Sequence, residues 1–306
     1  MKNLFITALA GLLVACGQNS AQNSHIEPDH PQSVKLQNIS AKTIISIKRS
    51  GNPNGRTVVL IAGLASSPEV WASTITELQD FDLRLVHVAG FAGEPRYETE
   101  NNYTDEIASA LNVHLTSIPG NDTAIIGHSM GGFVALKAAL RDRTAIKTLI
   151  IVDSLPFLAG MLMPGTTPEQ VSITATAMAK QMASMPRKAF DRQQAMGLSR
   201  LVKTKTYRAN VKEWGLMSDQ AIVAQTMGEL LSSDLRKDLA AIQANIKVIA
   251  AHDKAMGMDA EQIKTIYEAQ YANAPMHDIT VISDSFHFIM IDQKEAFIDA
   301  VTTALK

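Results

Sequence analysis

Cysteine is nearly missing from this chain: Cys16 is the only one in 306 residues. No disulfide can form within the chain, so its folded part must be held by an apolar core alone. An excess of one charge is missing too. The 28 Lys and Arg against 30 Asp and Glu give a formal net charge of -2 and a pI near 6.4, which gives no reason to expect nucleic acid as a partner. The eight histidines are scattered without the ligand spacing of a zinc site, and there is neither an internal repeat nor a heptad array. The apolar stretch from Leu4 to Ala15 is too short to cross a bilayer as a permanent helix.

That stretch has another reading. Met1-Lys2-Asn3 places a positive charge before it and a polar tract follows it, which together read as a secretory signal over residues 1–15. Residues 16–34, with Pro28 and Pro31, read as a polar tether. Leu13-Val14-Ala15-Cys16 resembles the lipobox of bacterial lipoproteins. The resemblance implies lipidation of the Cys16 thiol and stable attachment to a membrane, since its acyl chains exceed the two signals that anchoring needs. Gly17 rather than Asp after the cysteine implies the outer membrane, facing the periplasm. The alternative is a plain secreted protein whose signal happens to contain a cysteine.

The remaining 35–306 is long enough for one large core with an insertion, and 46% hydrophobic residues is ordinary globular usage. Strand-like runs occur at 43–48, 57–62, 83–88, 123–126, 148–152, 247–250 and 279–282. Helical patterns at 68–78, 104–115, 130–140, 260–271 and 293–305 separate them from the third run onward. Ser66-Ser67-Pro68 supplies a hydroxyl cap and a proline for the first turn of the earliest helix. Short, continuously apolar strands alternating with helices predict an α/β fold with a mostly parallel central sheet covered on both faces. Between about 154 and 238 the alternation stops and the sequence turns helical and methionine-rich, which predicts an inserted helical cap.

Gly127-His128-Ser129-Met130-Gly131 stands between the strand-like run 123–126 and the helical run 130–140. A strand, a G-x-S-x-G turn and a helix present a serine hydroxyl as a nucleophile. The strained turn brings backbone so close that a Cβ two positions either side of the serine would clash, and only glycine lacks one. Strand, elbow and helix, in this order along 43–305, are similar to the α/β-hydrolase superfamily. That resemblance implies a serine hydrolase acting on carboxylic esters or related acyl compounds through an acyl-enzyme, without a metal or organic cofactor. The substrate is expected to be a small acyl compound of apolar character; the oligomeric state is left open. A cofactor-free lyase or carbon–carbon bond hydrolase on the same scaffold, or a non-catalytic lipoprotein of this fold, are the alternatives.

The resemblance also assigns roles. Ser129 is the nucleophile and His287, just after the last strand-like run, is the base. Asp253, after the run 247–250, is the first choice for the acid, and Asp153, after the run 148–152, is the alternative. The amides of Met130 and Leu64 would bind the oxyanion. The chain departs from the superfamily's pattern at Ala62, where relatives carry histidine, and at Ala250-Ala251-His252-Asp253, where they carry G-x-x-D. His87 reads as a buried histidine bonded to backbone rather than a catalytic one, and Asp284 and Asp292 as surface or helix-start residues. Eight of the fourteen methionines lie in the cap, suited to an acyl chain or equally to filling a small helical core. Arg187 to Lys212 carries eight basic residues against Asp191 alone. Such a face could meet anionic lipid headgroups, attract an anionic substrate, or simply be solvated.

Overall fold

The computed structural model describes residues 41–306 apart from 121, 143 and 163–165. The signal segment, Cys16, most of the tether and Met163 lie outside the described residues. Seven strands form one sheet: β1 Ile45–Gly51, β2 Thr57–Ile61, β3 Asp82–Val88, β4 Thr123–His128, β5 Ile146–Val152, β6 Asn245–Ala251 and β7 His277–Ile282. Their order is β1-β3-β2-β4-β5-β6-β7, with β1 antiparallel to β3 and every other pairing parallel. This is the expected α/β fold with a mostly parallel sheet. All five residues of β2 are buried, as befits a strand covered on both faces. Its pleat sends Val59 and Ile61 into one apolar core and Val58 and Leu60 into the other.

Helices α1 Ala72–Glu77, α2 Tyr103–Thr116, α3 Met130–Arg141, α9 Ala260–Tyr271 and α11 Lys294–Leu305 flank the sheet. A single 3-10 turn, Pro68–Trp71, precedes α1, and Ser67 Oγ caps it by accepting from the Glu69 amide at 3.2 Å. One face of the sheet packs on Ile107 and Leu111 of α2 and Phe133 and Leu136 of α3, and the other on Trp71 with Phe297 and Val301 of α11. Trp71 and Phe297 stack with their ring centroids 6.1 Å apart.

Between β5 and β6 run five helices: α4 Leu158–Leu162, α5 Pro168–Ser184, α6 Arg187–Leu201, α7 Arg208–Met217 and α8 Gln220–Ser232. Glu229 of α8 ties this segment to the sheet domain. Its buried carboxylate accepts from the Tyr103 and Thr104 amides at 2.6 and 2.9 Å, at the start of α2, where Asn102 gives no side-chain cap. A carboxylate there satisfies orphan donors and complements the helix dipole. Thr104 Oγ1 bonds both Glu229 and the ammonium of the buried Lys137, which also meets Asp105 at 3.0 Å. No described helix is long and apolar enough to cross a membrane.

Candidate active site

Ser129 sits between the last residue of β4 and the first of α3 with φ 53° and ψ -119°, a conformation that costs an ordinary residue about 1–3 kcal/mol. The glycines explain how the turn is tolerated. A Cβ on Gly127 would strike the Gly131 carbonyl oxygen, and one on Gly131 would strike the Ile61 carbonyl oxygen on the neighbouring strand. The elbow is therefore pressed against β2, and the amide of Ser129 is held by the Val152 carbonyl at 2.9 Å.

The base arrives from the loop after β7. His287 Nδ1 lies 2.6 Å from Asp153 Oδ2, and the two side chains are only about a tenth exposed. With Nδ1 donating to the carboxylate, Nε2 is left for the nucleophile's side of the ring. Ser129 and His287 line the same two clefts, and Ser129 Oγ has no hydrogen-bond partner among the described residues.

Asp153 is held on all sides. Tyr267 Oη and the Ala251 amide donate to its Oδ1 at 2.8 and 2.9 Å, and its own amide donates to the Ile249 carbonyl. Its φ of 44° turns the side chain off the end of β5. Burial alone would raise the carboxyl's pKa, but His287, the Ala251 amide and Tyr267 outweigh it and hold the group below the usual range. Tyr267 answers in the opposite sense: burial, then the Asp153 charge, pushes its phenol well above the ordinary value, so it remains a donor.

The expectation for Asp253 is corrected here. Its Oδ2 bonds Lys203 Nζ at 2.6 Å and its Oδ1 accepts from the Ala255 amide, with no contact to His287. Two neighbouring strands, β5 and β6, are each followed within two residues by an aspartate, and the fold brings the imidazole to the first. His87 also differs from expectation: it is partly buried, and Nδ1 meets the Glu94 carboxylate at 2.9 Å rather than backbone. Asp292 does more than start a helix. Its two oxygens accept from the amides of Lys203, Thr204 and Phe286, joining the end of the cap to the residue beside His287. Asp284 is a surface residue, its side chain 72% exposed.

His128 carries a role that its place inside the elbow did not reveal. Nε2 bonds the His287 carbonyl oxygen at 3.0 Å, and the two imidazole centroids lie 4.5 Å apart. Burial first, then the charge of His287, pushes its pKa down to about 3, so at neutral pH it is an uncharged spacer under the base. The amide of Met130, the first residue of α3, has no intrahelical acceptor, and the Leu64 amide donates to no backbone carbonyl among the described residues. Leu64 and Met130 both line the clefts that hold Ser129.

Those clefts form two arms sharing Ser129, His287, Leu158 and Leu230. The first runs past Asp153 toward Leu155, Met256 and Tyr267, and the second past Gly63 and Leu64 toward Leu198, Val211 and Val223. Of the cap methionines, Met161 and Met227 line one arm each. Met182 is buried in the core, Met178 and Met185 pack against it, and Met196 and Met217 are exposed.

The family profile described as alpha/beta hydrolase fold matches residues 56–292. The chain belongs to this family. Among curated α/β-hydrolase relatives, the pimeloyl-[acyl-carrier protein] methyl ester esterase of Cronobacter sakazakii is 34% identical over 118 residues, which is 38% of this chain and 43% of that protein. The chain therefore spans less than half the length of that relative. The protein of the same name from Pseudoalteromonas atlantica is 27% identical over 263 residues, 83% of this chain and 96% of its own. Among solved α/β-hydrolase structures, the enol-lactonase from Burkholderia xenovorans matches with TM-score 0.66 at 18% identity, over 85% of this chain and 96% of its own. A thermophilic esterase from Thermogutta terrifontis matches with TM-score 0.65 at 19% identity, over 85% and 92%.

Proposed function

We propose that the protein is a serine hydrolase that cleaves carboxylic esters or related acyl compounds. The observation that carries this reading is the 2.6 Å contact between His287 Nδ1 and Asp153, in a cleft shared with a strained, unpartnered Ser129 hydroxyl. Ser129 Oγ attacks the acyl carbon and His287 Nε2 takes its proton, while Asp153 orients the ring and stabilises the imidazolium. The carbonyl oxygen, now an oxyanion, receives the Leu64 and Met130 amides. Collapse of this intermediate returns the proton to the leaving group and leaves the acyl group on Ser129. Water, deprotonated by His287, then releases the acid. The esterases among the relatives agree with this chemistry.

The test is to treat the full-length chain with a fluorophosphonate probe and then to measure turnover of p-nitrophenyl esters of increasing acyl length. Labelling and turnover are both expected, and Ser129→Ala should lose both. Labelling without ester turnover would move the reading to the lyase or carbon–carbon hydrolase alternative, and no labelling would leave a non-catalytic protein of this fold.

The proposed setting is the bacterial envelope, with Cys16 lipidated and the protein facing the periplasm from the outer membrane. The support is the lipobox-like Leu13-Val14-Ala15-Cys16 and the want of any other cysteine. Cys16→Ala should shift the protein out of the detergent phase on partitioning; a variant that partitions as its parent does would overturn the anchor.

A further inference from the structure

The eight cations between Arg187 and Lys212 are not alike once placed. Arg187 is spent on the Ser218 and Leu216 carbonyl oxygens and on Asp191, Lys203 on Asp253 and Asp284, and Arg208 on the Val202 and Lys203 carbonyl oxygens. Arg200 and Lys212 line the two arms of the cleft, Arg200 the first and Lys212 the second. Lys212 has no carboxylate partner among the described residues. Gln194 and the buried Ser66 line the same arm as Lys212, so apart from His128, Ser129 and His287 three polar side chains stand among apolar groups such as Leu198, Val211 and Val223.

Acidic groups are nearly missing from the same walls. Among the described residues Asp153 is the one carboxylate lining either arm, and its charge is committed to His287, Tyr267 and the Ala251 amide. The arm over Gly63 and Leu64 is thus bordered by one cation, Lys212, that has no carboxylate partner among the described residues, although the chain as a whole is slightly negative. A cleft lined by one sign of charge with low-dielectric walls concentrates ligands of the opposite sign. A few polar groups in an apolar pocket set the orientation of what binds there.

Resting on the hydrolase reading, we infer that the substrate is amphiphilic and anionic: an acyl compound with an apolar stretch beside the scissile bond and a carboxylate or phosphate at its far end, seated in the arm over Gly63 and Leu64 with Lys212 as counter-ion. A neutral ester fills the apolar wall and leaves Lys212 without a partner. An anionic one satisfies both.

The experiment compares, on the full-length chain, p-nitrophenyl monoesters of dicarboxylic acids with neutral p-nitrophenyl esters of the same chain length, and adds a lysophospholipid as the phosphate-bearing member. At low ionic strength, kcat/KM for at least one anionic class should exceed that of its neutral counterpart by about fivefold or more, and salt should erode the difference. Whether the dicarboxylate or the phosphate series shows the larger gain identifies the anionic group. Lys212→Gln should bring the anionic-to-neutral ratio of kcat/KM down to about one, Lys212→Arg should keep most of the preference, and Lys188→Gln, which removes a cap cation outside both arms, should leave it intact. Equal rates for anionic and neutral esters, or a Lys212→Gln variant that slows both alike, would overturn the inference while leaving the hydrolase reading standing. Failure of the fluorophosphonate probe to label Ser129 would remove that reading and this inference together.

Discussion

One hydrogen bond, from His287 Nδ1 to Asp153, carries the proposal that Asp153 is the acid of the site. Asp153 and Asp253 follow adjacent strands, Asp253 buried and the Asp153 side chain about a tenth exposed, and each has its carboxyl held below the usual pKa range. For Asp253, burial is outweighed by Lys203 and the Ala255 amide; for Asp153, by His287, the Ala251 amide and Tyr267. Asp153→Asn should therefore cut kcat by a factor on the order of 10⁴, as in serine proteases whose imidazole loses its orienting acid. Asp253→Asn should change kcat by no more than a few-fold, since it loses only an ion pair to a half-exposed lysine. Parallel kinetics of the two variants on one p-nitrophenyl ester settle the assignment, and the reverse ranking would return the role to Asp253.

These residue-level facts were only partly legible. Ser129 and His287 were readable because the glycine spacing and the place after the last strand are local signals. The acid was not, because both strand ends offered an aspartate and only the three-dimensional path of the loop at 283–288 selects between them. Tyr267, which grips Asp153, lies 114 residues further along the chain on α9 and looks in sequence like an ordinary core aromatic. His128 looks like a free choice within the elbow until the second imidazole is placed above it.

At the scale of elements, the seven strands and the flanking helices could be read from apolar runs and their punctuation, since strands covered on both faces need little more than continuous apolar character. What the runs could not give was the attachment of the cap. It depends on Glu229, a single acid in a helix, reaching the start of α2 more than a hundred residues earlier in the chain. Glu229→Ala leaves the Tyr103 and Thr104 amides without their acceptor and removes the carboxylate to which Thr104 Oγ1 donates. The expected loss is about 2–4 kcal/mol, from buried amide donors left unsatisfied at about 1–3 kcal/mol each. Urea unfolding of the variant beside the wild type measures it, and a loss below about 1 kcal/mol would mean that α8 is held by its apolar face alone.

For the whole molecule, pH enters through His128. In the unfolded chain this imidazole has its ordinary pKa near 6.5, whereas in the fold it is depressed to about 3. Between those values the unfolded chain binds a proton that the folded one refuses, so stability is complete above about pH 6.5 and is lost as the pH falls toward 3. The slope from this one group is about 1.4 kcal/mol per pH unit, or on the order of 2 kcal/mol between pH 6.5 and 5. Denaturant midpoints across that interval should show the decline, and His128→Gln should flatten it by the same amount. An equal decline in both proteins would place the acid sensitivity elsewhere.

The pairing of β4 with β5 sets His128 opposite Val152, so the proposed nucleophile Ser129 and the proposed acid Asp153 are the next residues out from two paired neighbours. Their separation is consequently a property of the sheet itself, established as soon as those strands zip together and insensitive to later adjustments of the molecule. Only the imidazole is carried in on a loop. Evolution or engineering that retunes this centre is thereby steered toward the short segment from Asp284 to Phe288, the one part whose course can be altered without reopening the sheet.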